Sequence, residues 1–355
     1  MRFATSFPTK RPFLIDKITM RRTLLVGAWL ATISLAGPVT AAGDVIVYMK
    51  PDGDDRASGL TKETALASLT VAVKRSLAQQ PEETGVRHVV VLPGRYVGQT
   101  VTVRDLPDER ALVIEGVSGP AGRPVFDGNG RGRSWLVLDA FSGRPTRLTI
   151  MRLEVTNYVT AISFNGRRTS IEASNGQNEI SDNVFRTIGQ TAYPQGKPST
   201  PAVRLVNSTN NRIVGNQFIN IRNIVGCGAL HSIYLAHYSS GNLIDGNTFD
   251  GGCGATVKTR DASNANVIRN NRFVDQSEAV FLDSYCDKDS RDDCTKETAE
   301  CPSWGNQFER NTLVRLKPRA RKGSVRVAGA DAPEDCPMPP GQRARVIQSN
   351  NRVQQ

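Results

Sequence analysis

Two short stretches of the sequence contain side chains that could transfer protons and bind anions. His231 and Tyr234 lie in HSIY, and Lys258 and Arg260 lie in VKTR. An imidazole, a phenol or an amine can exchange a proton with a reacting group, and a guanidinium can neutralise a carboxylate. This chemistry requires the four side chains to lie close together. The chain must therefore contain elements that bring the two stretches side by side.

A recurring sequence pattern predicts those elements. The pattern is N-x-I-x-x-N-x-F, and its copies are NEISDNVF at 178–185, NRIVGNQF at 211–218, NLIDGNTF at 242–249 and NVIRNNRF at 266–273. The second Asn of each copy is Asn183, Asn216, Asn247 and Asn271, which gives a shortest period of 24 residues, and a looser copy contains Phe308, Asn311 and Leu313. Repeats of this length predict stacked units that bury their apolar faces against each other.

The chemistry of the repeat favours strands over helices. Within one copy the Ile and Phe lie five residues apart with an Asn between them, which suits short strands joined by a turn. Equivalent Asn residues in successive units can form a hydrogen-bonded ladder along a stack with ~4.8 Å spacing. The pattern resembles the right-handed parallel β-helix repeat family of pectate-lyase-like proteins. The resemblance extends from Val45 to the C-terminus and implies an all-β, single-stranded right-handed parallel β-helix solenoid.

Aligning the coils by their Asn residues predicts which side chains share a face. Ile233, Val257 and Phe281 recur every 24 residues and form an inward column. Because side chains alternate along a strand, the next positions point outward. The outward columns are Tyr234, Lys258 and Leu282, and then Ala236, Arg260 and Ser284.

The preceding coil adds a further cation to this face. Placing Val203 beside Ile233 puts Arg204 beside Tyr234. With coils ~4.8 Å apart, one shallow patch is predicted to contain Arg204, Tyr234, Lys258 and Arg260, with His231, Asp283 and Tyr285 at its edge.

The patch is similar to an H-x-I-Y strand followed by a V/I-K-x-R strand, a set often seen in this family. Polysaccharide lyases with this fold generally use a Lys or Arg as the base, so the resemblance implies β-elimination from a uronate-containing polysaccharide. Lys258 is then the base, which neighbouring positive charge and partial burial would favour. Arg260 or Arg204 would neutralise the carboxylate, and Tyr234 or His231 would donate a proton. Arg204, Asp283 and Tyr285 are the expected substrate-binding residues.

Other interpretations of the same residues remain open. The outward cations could simply be solvated, His231 could cap a turn, and Tyr234 could pack under the Lys258 stem. The protein could then be a non-catalytic glycan-binding or surface-structural β-helix. An epimerase would share the proton-abstraction step, and a glycoside hydrolase would require a carboxylate pair such as Asp283 with Glu278 or Asp261. No metal-ligand set is evident, and a calcium requirement is left open.

The N-terminal sequence predicts export. Basic residues after Met20, a mainly apolar stretch of fifteen residues from Thr23 to Gly37 and the small residues of Val39-Thr40-Ala41 together form a secretory signal. We expect residues 1–41 to be the signal region, with the start at Met20, and residues 42–355 to form a single β-helix domain. The apolar segment is too short to span a membrane. A periplasmic or secreted monomer is expected.

The charge of the chain favours an anionic partner. The formal net charge is +11, and about +6 remains after residue 41. This excess favours acidic polysaccharide, whereas the sequence contains no nucleic-acid-binding motif.

Six cysteines follow the signal region, and an even number in an exported chain predicts disulfides. Cys227 and Cys253 lie about one coil apart and are expected to pair. The pairing of the other four is left open: Cys286, Cys294, Cys301 and Cys336. Because the sequence has no C-x-x-C pair, a zinc site is disfavoured.

The sequence also predicts an N-terminal capping helix and two long loops beside the candidate site. Ala65 to Leu77 reads as an amphipathic helix that covers the first coil and blocks end-to-end pairing. The coil from Asn216 to Asn247 has about seven extra residues, and the coil from Asn271 to Asn311 has sixteen. Both insertions flank Lys258, and long loops on a rigid scaffold often form the walls of a binding site.

Overall fold

The computed structural model describes residues 43–82, 85–104, 106, 111–286, 299–328, 336 and 338–354. The predicted signal region at 1–41 lies outside the described residues. No helix in the described part of the chain is long and apolar enough to cross a membrane.

The described chain winds through three parallel sheets in turn, once per coil. The first sheet has the strands Val45–Met49, Arg87–Val91, Leu112–Gly116, Leu148–Met151, Glu179–Ser181, Arg212–Val214, Leu243–Asp245, Val267–Arg269, Asn306–Glu309 and Val346–Ser349. The second has Arg95–Val97, Val125–Asp127, Glu154–Thr156, Val184–Arg186, Gln217–Ile219, Thr248–Asp250, Arg272–Val274, Thr312–Val314 and Arg352–Gln354. The third has Val101–Arg104, Ser134–Asp139, Thr160–Asn165, Pro201–Val206, His231–Ala236, Val257–Arg260, Phe281–Asp283 and Val325–Val327. This architecture confirms the predicted parallel β-helix.

Smaller elements complete the solenoid. Asn175–Gly176 pairs with Ser208–Thr209 in a two-stranded sheet. Two short 3₁₀ helices, Gln190–Ala192 and Cys227–Ala229, precede strands of the third sheet. A short α-helix, Pro318–Lys322, precedes its last strand.

The recurring Asn residues form the predicted inward ladder. The side-chain amide of Asn216 donates to Oδ1 of Asn247 at 3.0 Å, and that of Asn247 donates to Oδ1 of Asn271 at 3.0 Å. Each of these oxygens also accepts the backbone N–H of the preceding Asn. The ladder runs from Asn183 through Asn311 to Asn351. The first Asn of the pattern forms a second buried ladder: Asn178, Asn211, Asn242, Asn266 and Asn306.

The Phe of the pattern fills the interior beside these ladders. The rings of Phe185, Phe218, Phe249 and Phe273 are stacked with centroids 4.9–5.0 Å apart. This separation nearly matches the distance between neighbouring strands, ~4.8 Å. The repeat therefore fixes the register of each coil twice, by amide pairing at the turn and by ring stacking in the core.

The N-terminal helix forms the predicted cap but begins later than the sequence suggests. It spans Leu69–Ala78 and buries Leu69, Ala72 and Val73 against the first coils. The hydroxyl of Ser68 accepts the N–H of Val71, which marks the start of the helix. The preceding residues are extended, and Leu66 pairs with Met49.

We predict that Asn247→Ala lowers the free energy of unfolding by about 1–3 kcal/mol, because it leaves the buried backbone N–H of Asn216 without an acceptor and removes one hydrogen bond of the Asn216 side-chain amide. Denaturant-induced unfolding would measure the change. Gln217→Ala, which removes an exposed amide one coil away, is the control and should have little effect. Equal stability of the two variants would contradict a structural role for the ladder.

Candidate active site

The third sheet brings the predicted site residues together in the expected register. Arg204 lies opposite Tyr234, Tyr234 lies opposite Lys258, and Ala236 lies opposite Arg260. The inward column predicted for the neighbouring position is also confirmed, because Ile233 pairs with Val257 and Val257 with Phe281. One outward face thus carries cations and a phenol on three successive strands.

Arg260 and Tyr234 are in direct contact. Nη1 of Arg260 donates to the Tyr234 hydroxyl at 3.3 Å, so the hydroxyl accepts one hydrogen bond and retains its own proton. Burial raises the pKa of the Tyr234 phenol, and the charge of Arg260 partly offsets this rise. Tyr234 is therefore protonated at neutral pH, as a proton donor must be.

Glu300 fixes the position of Arg260. Nε of Arg260 donates to Oε2 of Glu300 at 2.6 Å, and the backbone N–H of Cys286 donates to the same oxygen at 2.8 Å. Arg168 approaches the other oxygen at 3.4 Å. Burial alone would lower the pKa of Arg260, but the hydrogen bond to Glu300 raises it well above its ordinary value. Arg260 is thus permanently charged, and Glu300 holds its guanidinium in position.

Lys258 lies beside the phenol on the next coil. Its Nζ is 5.6 Å from the centroid of the Tyr234 ring, and the side chain is half-buried. The amine, the phenol and the guanidinium of Arg260 therefore share one small area of the sheet. This is the arrangement predicted from the alignment of HSIY with VKTR.

His231 cannot be the proton donor that the sequence suggested as an alternative to Tyr234. It is buried, and its Nδ1 lies 2.7 Å from the carbonyl of Ala255, which can only accept a hydrogen bond. Burial, together with the positive charge of Lys258, lowers the pKa of His231 to about 3. The imidazole is neutral at physiological pH and packs against the Tyr234 ring at 5.5 Å.

The structure also does not place Asp283 and Tyr285 where the sequence analysis expected substrate-binding residues. Asp283 has no exposed surface, and it accepts hydrogen bonds from Thr259 Oγ1 at 2.7 Å and from Arg345 Nε at 2.9 Å. The guanidinium of Arg345 also lies 5.2 Å from the Tyr285 ring centroid, and Tyr285 is buried. Both side chains are buried and in contact with Arg345, so neither is exposed to bind a substrate.

The carboxylates that a hydrolase would require are likewise paired with basic side chains. Asp261 lies 2.7 Å from His237, and Glu278 lies 2.9 Å from Arg319. With Asp283 buried against Arg345, the three carboxylates considered for hydrolysis each have a basic partner.

Arg204 is held at the other end of the patch. Its Nε donates to Ser163 Oγ at 2.9 Å and its Nη2 donates to Asn165 Oδ1 at 3.1 Å. These residues and the loop at Pro198 line a polar cavity of about 240 Å³. Desolvation lowers the pKa of Arg204 from its ordinary value, although a guanidinium remains charged at neutral pH. The cavity places a fixed cation two coils from Lys258.

Disulfides restrain the segments around the candidate site. Cys227 pairs with Cys253, as predicted, and Cys301 pairs with Cys336. Cys286 is also disulfide-bonded, and Cys294 lies outside the described residues. Cys301 immediately follows Glu300, so this disulfide restrains the backbone of Glu300, the residue that holds Arg260 in place.

One cluster beside the site has the residue types of a metal centre. The potential ligand atoms of His237, Asp261 and Glu300 lie within 4.8 Å of one another. Calcium requires six to eight oxygen ligands, whereas this cluster offers an imidazole and two carboxylates. Glu300 is moreover paired with Arg260 and Arg168. The cluster therefore does not fit calcium.

Comparisons with known proteins give one family match and several distant structural similarities. Residues 150–296 match the family model described as "Right handed beta helix region". An alginate lyase from Paenibacillus sp. str. FPU-7 aligns over 79% of this chain and 94% of its own, with 11% identity and a TM-score of 0.44. A pectate lyase aligns over 88% of this chain and 77% of its own, with 12% identity and a TM-score of 0.45.

A surface protein and adhesin of Streptococcus pneumoniae aligns over 79% of this chain and 80% of its own, with 14% identity and a TM-score of 0.36. No curated protein sequence matches the chain. These identities are too low to transfer an activity. The three parallel sheets, together with the family match over residues 150–296, show that the described chain folds as a right-handed parallel β-helix.

Proposed function

We propose that this protein is a polysaccharide lyase that cleaves a uronate-containing polysaccharide by β-elimination. The observation that carries the proposal is the meeting of Lys258, Tyr234 and Arg260 on one face of the third sheet, with Arg260 held by Glu300. The C5 proton of a uronate is only weakly acidic until its carboxylate is neutralised. The site offers a cation, an amine and a protonated phenol for that reaction.

Each group has one task in the proposed step. Arg260 pairs with the substrate carboxylate and stabilises the charge that develops there. Lys258 in its amine form takes the C5 proton, and the electron pair of the C5–H bond forms a C4–C5 double bond. The C4–O4 bond breaks, and O4 takes the proton of the Tyr234 hydroxyl. The products are a new chain end at O4 and an unsaturated uronate.

The geometry of the Arg260–Tyr234 pair supports this division of tasks. Arg260 uses Nε for Glu300 and Nη1 for Tyr234, and its Nη2 makes no hydrogen bond to the described residues. One edge of the guanidinium therefore remains available to a carboxylate. Because the Tyr234 hydroxyl accepts from Arg260, its proton can point away from Arg260 toward a leaving oxygen.

The disulfides support export. Such bonds persist in oxidising compartments, and the apolar segment Thr23–Gly37 would direct the chain there. We therefore place the activity outside the cytosol, in the periplasm or the medium, where polysaccharide is accessible.

The test is turnover of a panel of uronate polymers by the protein without its signal region. A lyase gives a product whose new double bond absorbs in the ultraviolet, and Tyr234→Phe should slow its formation about 10²-fold or more. An epimerase would exchange the C5 proton with solvent without forming that absorbance. Binding of a polymer with neither outcome would replace the proposed lyase with a non-catalytic glycan-binding protein.

A further inference from the structure

Arg204 is a partly buried cation that has no carboxylate partner in the described part of the chain. Its guanidinium donates to Ser163 Oγ through Nε and to Asn165 Oδ1 through Nη2, and both acceptors are uncharged. Asp139 accepts the side-chain amide of Asn165 at 2.8 Å and makes no ion pair with the guanidinium. Because loss of hydration without a paired charge is unfavourable, a bound anion would stabilise Arg204.

The two hydrogen bonds leave one edge of the Arg204 guanidinium open. Nη1 makes no hydrogen bond to the described residues, and Nη2 keeps one free N–H. A carboxylate can accept from two such N–H groups at once, which is the geometry that a planar guanidinium favours. Ser163 and Asn165 fix the orientation of the guanidinium before a ligand arrives, and this lowers the entropic cost of binding.

The cavity beside the guanidinium also offers hydroxyl groups. Ser134, Thr160 and Thr200 line it, and their hydroxyls make no hydrogen bond to other residues that the structure describes. The cavity volume of about 240 Å³ is several times the ~30 Å³ that one water molecule occupies in the liquid. A guanidinium beside free hydroxyls suits an acidic sugar, because the carboxylate pairs with the cation and the sugar hydroxyls exchange hydrogen bonds with Ser and Thr.

This cavity lies too far from Lys258 to bind the sugar that is cleaved. The strand of Tyr234 separates the strands of Arg204 and Lys258. Both side chains lean toward the preceding coil, because Nζ of Lys258 lies over the Tyr234 ring and the guanidinium of Arg204 reaches Ser163. Their charges therefore remain about two coils apart, or ~9.5 Å. This distance is wider than one pyranose ring, so a single uronate cannot reach both groups.

We infer, on the basis of the proposed lyase function, that Arg204 and its cavity form a second subsite, which binds the carboxylate of a uronate other than the one that is cleaved. The substrate is then a chain with at least two uronates, one at Lys258 and one at Arg204. Because Arg204 does not touch the reacting sugar, the subsite contributes to binding of the chain and not to the chemical step.

The experiment measures turnover and calorimetric binding of two hexasaccharides, one of galacturonate and one of mannuronate. For the hexasaccharide that binds better, Arg204→Gln should raise KM and Kd by about 10- to 100-fold and leave kcat unchanged. Thr160→Val removes a hydroxyl of the cavity, keeps the charge and should raise both constants by about two- to tenfold. The control is Arg272→Gln, which removes an equal charge from an exposed position of the second sheet and should change neither constant.

The outcomes separate the subsite from the lyase. Equal effects of Arg204→Gln and Arg272→Gln on a hexasaccharide that wild-type protein cleaves would overturn the subsite and leave the lyase standing. Binding that depends on Arg204 without any turnover would support the subsite and overturn the lyase. A lower kcat with an unchanged KM in Arg204→Gln would overturn the inference and assign Arg204 to the cleaved sugar. Tighter Arg204-dependent binding of a sulfated neutral hexasaccharide would overturn the assignment of the cavity to a uronate.

Discussion

Replacing Lys258 with alanine should reduce turnover of the uronate polymer by about 10²–10⁴-fold, the usual contribution of a general base. The side chain is half-buried on an outward face, so its loss removes little core packing. No other amine in the described outward column can reach the same C5 proton, because the neighbouring cations are guanidiniums. The rate of formation of the unsaturated product measures the effect, and circular dichroism verifies the fold.

Lys258→Arg separates a proton-transfer role from a binding role. It keeps the positive charge, but a guanidinium does not give up its proton near neutral pH. If Lys258 is the base, both Lys258 variants should lose turnover. If Lys258 only binds the substrate through its positive charge, Lys258→Arg should retain both affinity and rate. Lys62→Ala, in an exposed loop near the N-terminus, is the control. Full activity of Lys258→Ala would exclude Lys258 as the base.

The sequence alone predicted the geometry around Lys258 because the repeat fixes the register. Asn247 and Asn271 are 24 residues apart, and so are Tyr234 and Lys258, which therefore occupy equivalent positions in successive coils. The buried amide ladder permits no other register, since a shift of one residue would expose the Asn side chains and reverse the strand. Pairing of Cys227 with Cys253 followed from the same spacing.

Residues outside the repeat could not be located in the same way. Glu300 lies in a long insertion, 40 residues beyond Arg260, and nothing in its sequence neighbourhood marks it as the partner of that guanidinium. Arg326 joins the outward column of Lys258 only after that insertion and the helix Pro318–Lys322, which together break the period.

The misplacement of Asp283 has a different cause. Since Phe281 is inward, alternation along the strand also makes Asp283 inward, and the sequence contained that signal. A carboxylate at an inward position requires a buried basic partner. That partner is Arg345, which comes 62 residues later and follows no repeat.

Asp283→Ala should therefore act on stability and lower the free energy of unfolding by about 3–5 kcal/mol, the typical cost of removing one member of a buried ion pair. Asp283 is fully buried, and the side chain of Arg345 is only 13% exposed. Without the carboxylate, the Thr259 hydroxyl loses its acceptor, and the guanidinium loses its charged partner and keeps only the carbonyl of Ala328. Thermal and denaturant-induced unfolding would measure the loss.

The matched control is Asp275→Ala, which removes a carboxylate paired with Arg315 on the solenoid surface. Solvent screens that pair, so its removal should cost much less stability. Kinetics then decide between the two roles considered for Asp283. A structural role predicts that folded Asp283→Ala protein, assayed well below its unfolding temperature, keeps an unchanged KM for the polymer. A raised KM with wild-type stability would instead return Asp283 to the substrate-binding residues and contradict the buried ion pair with Arg345.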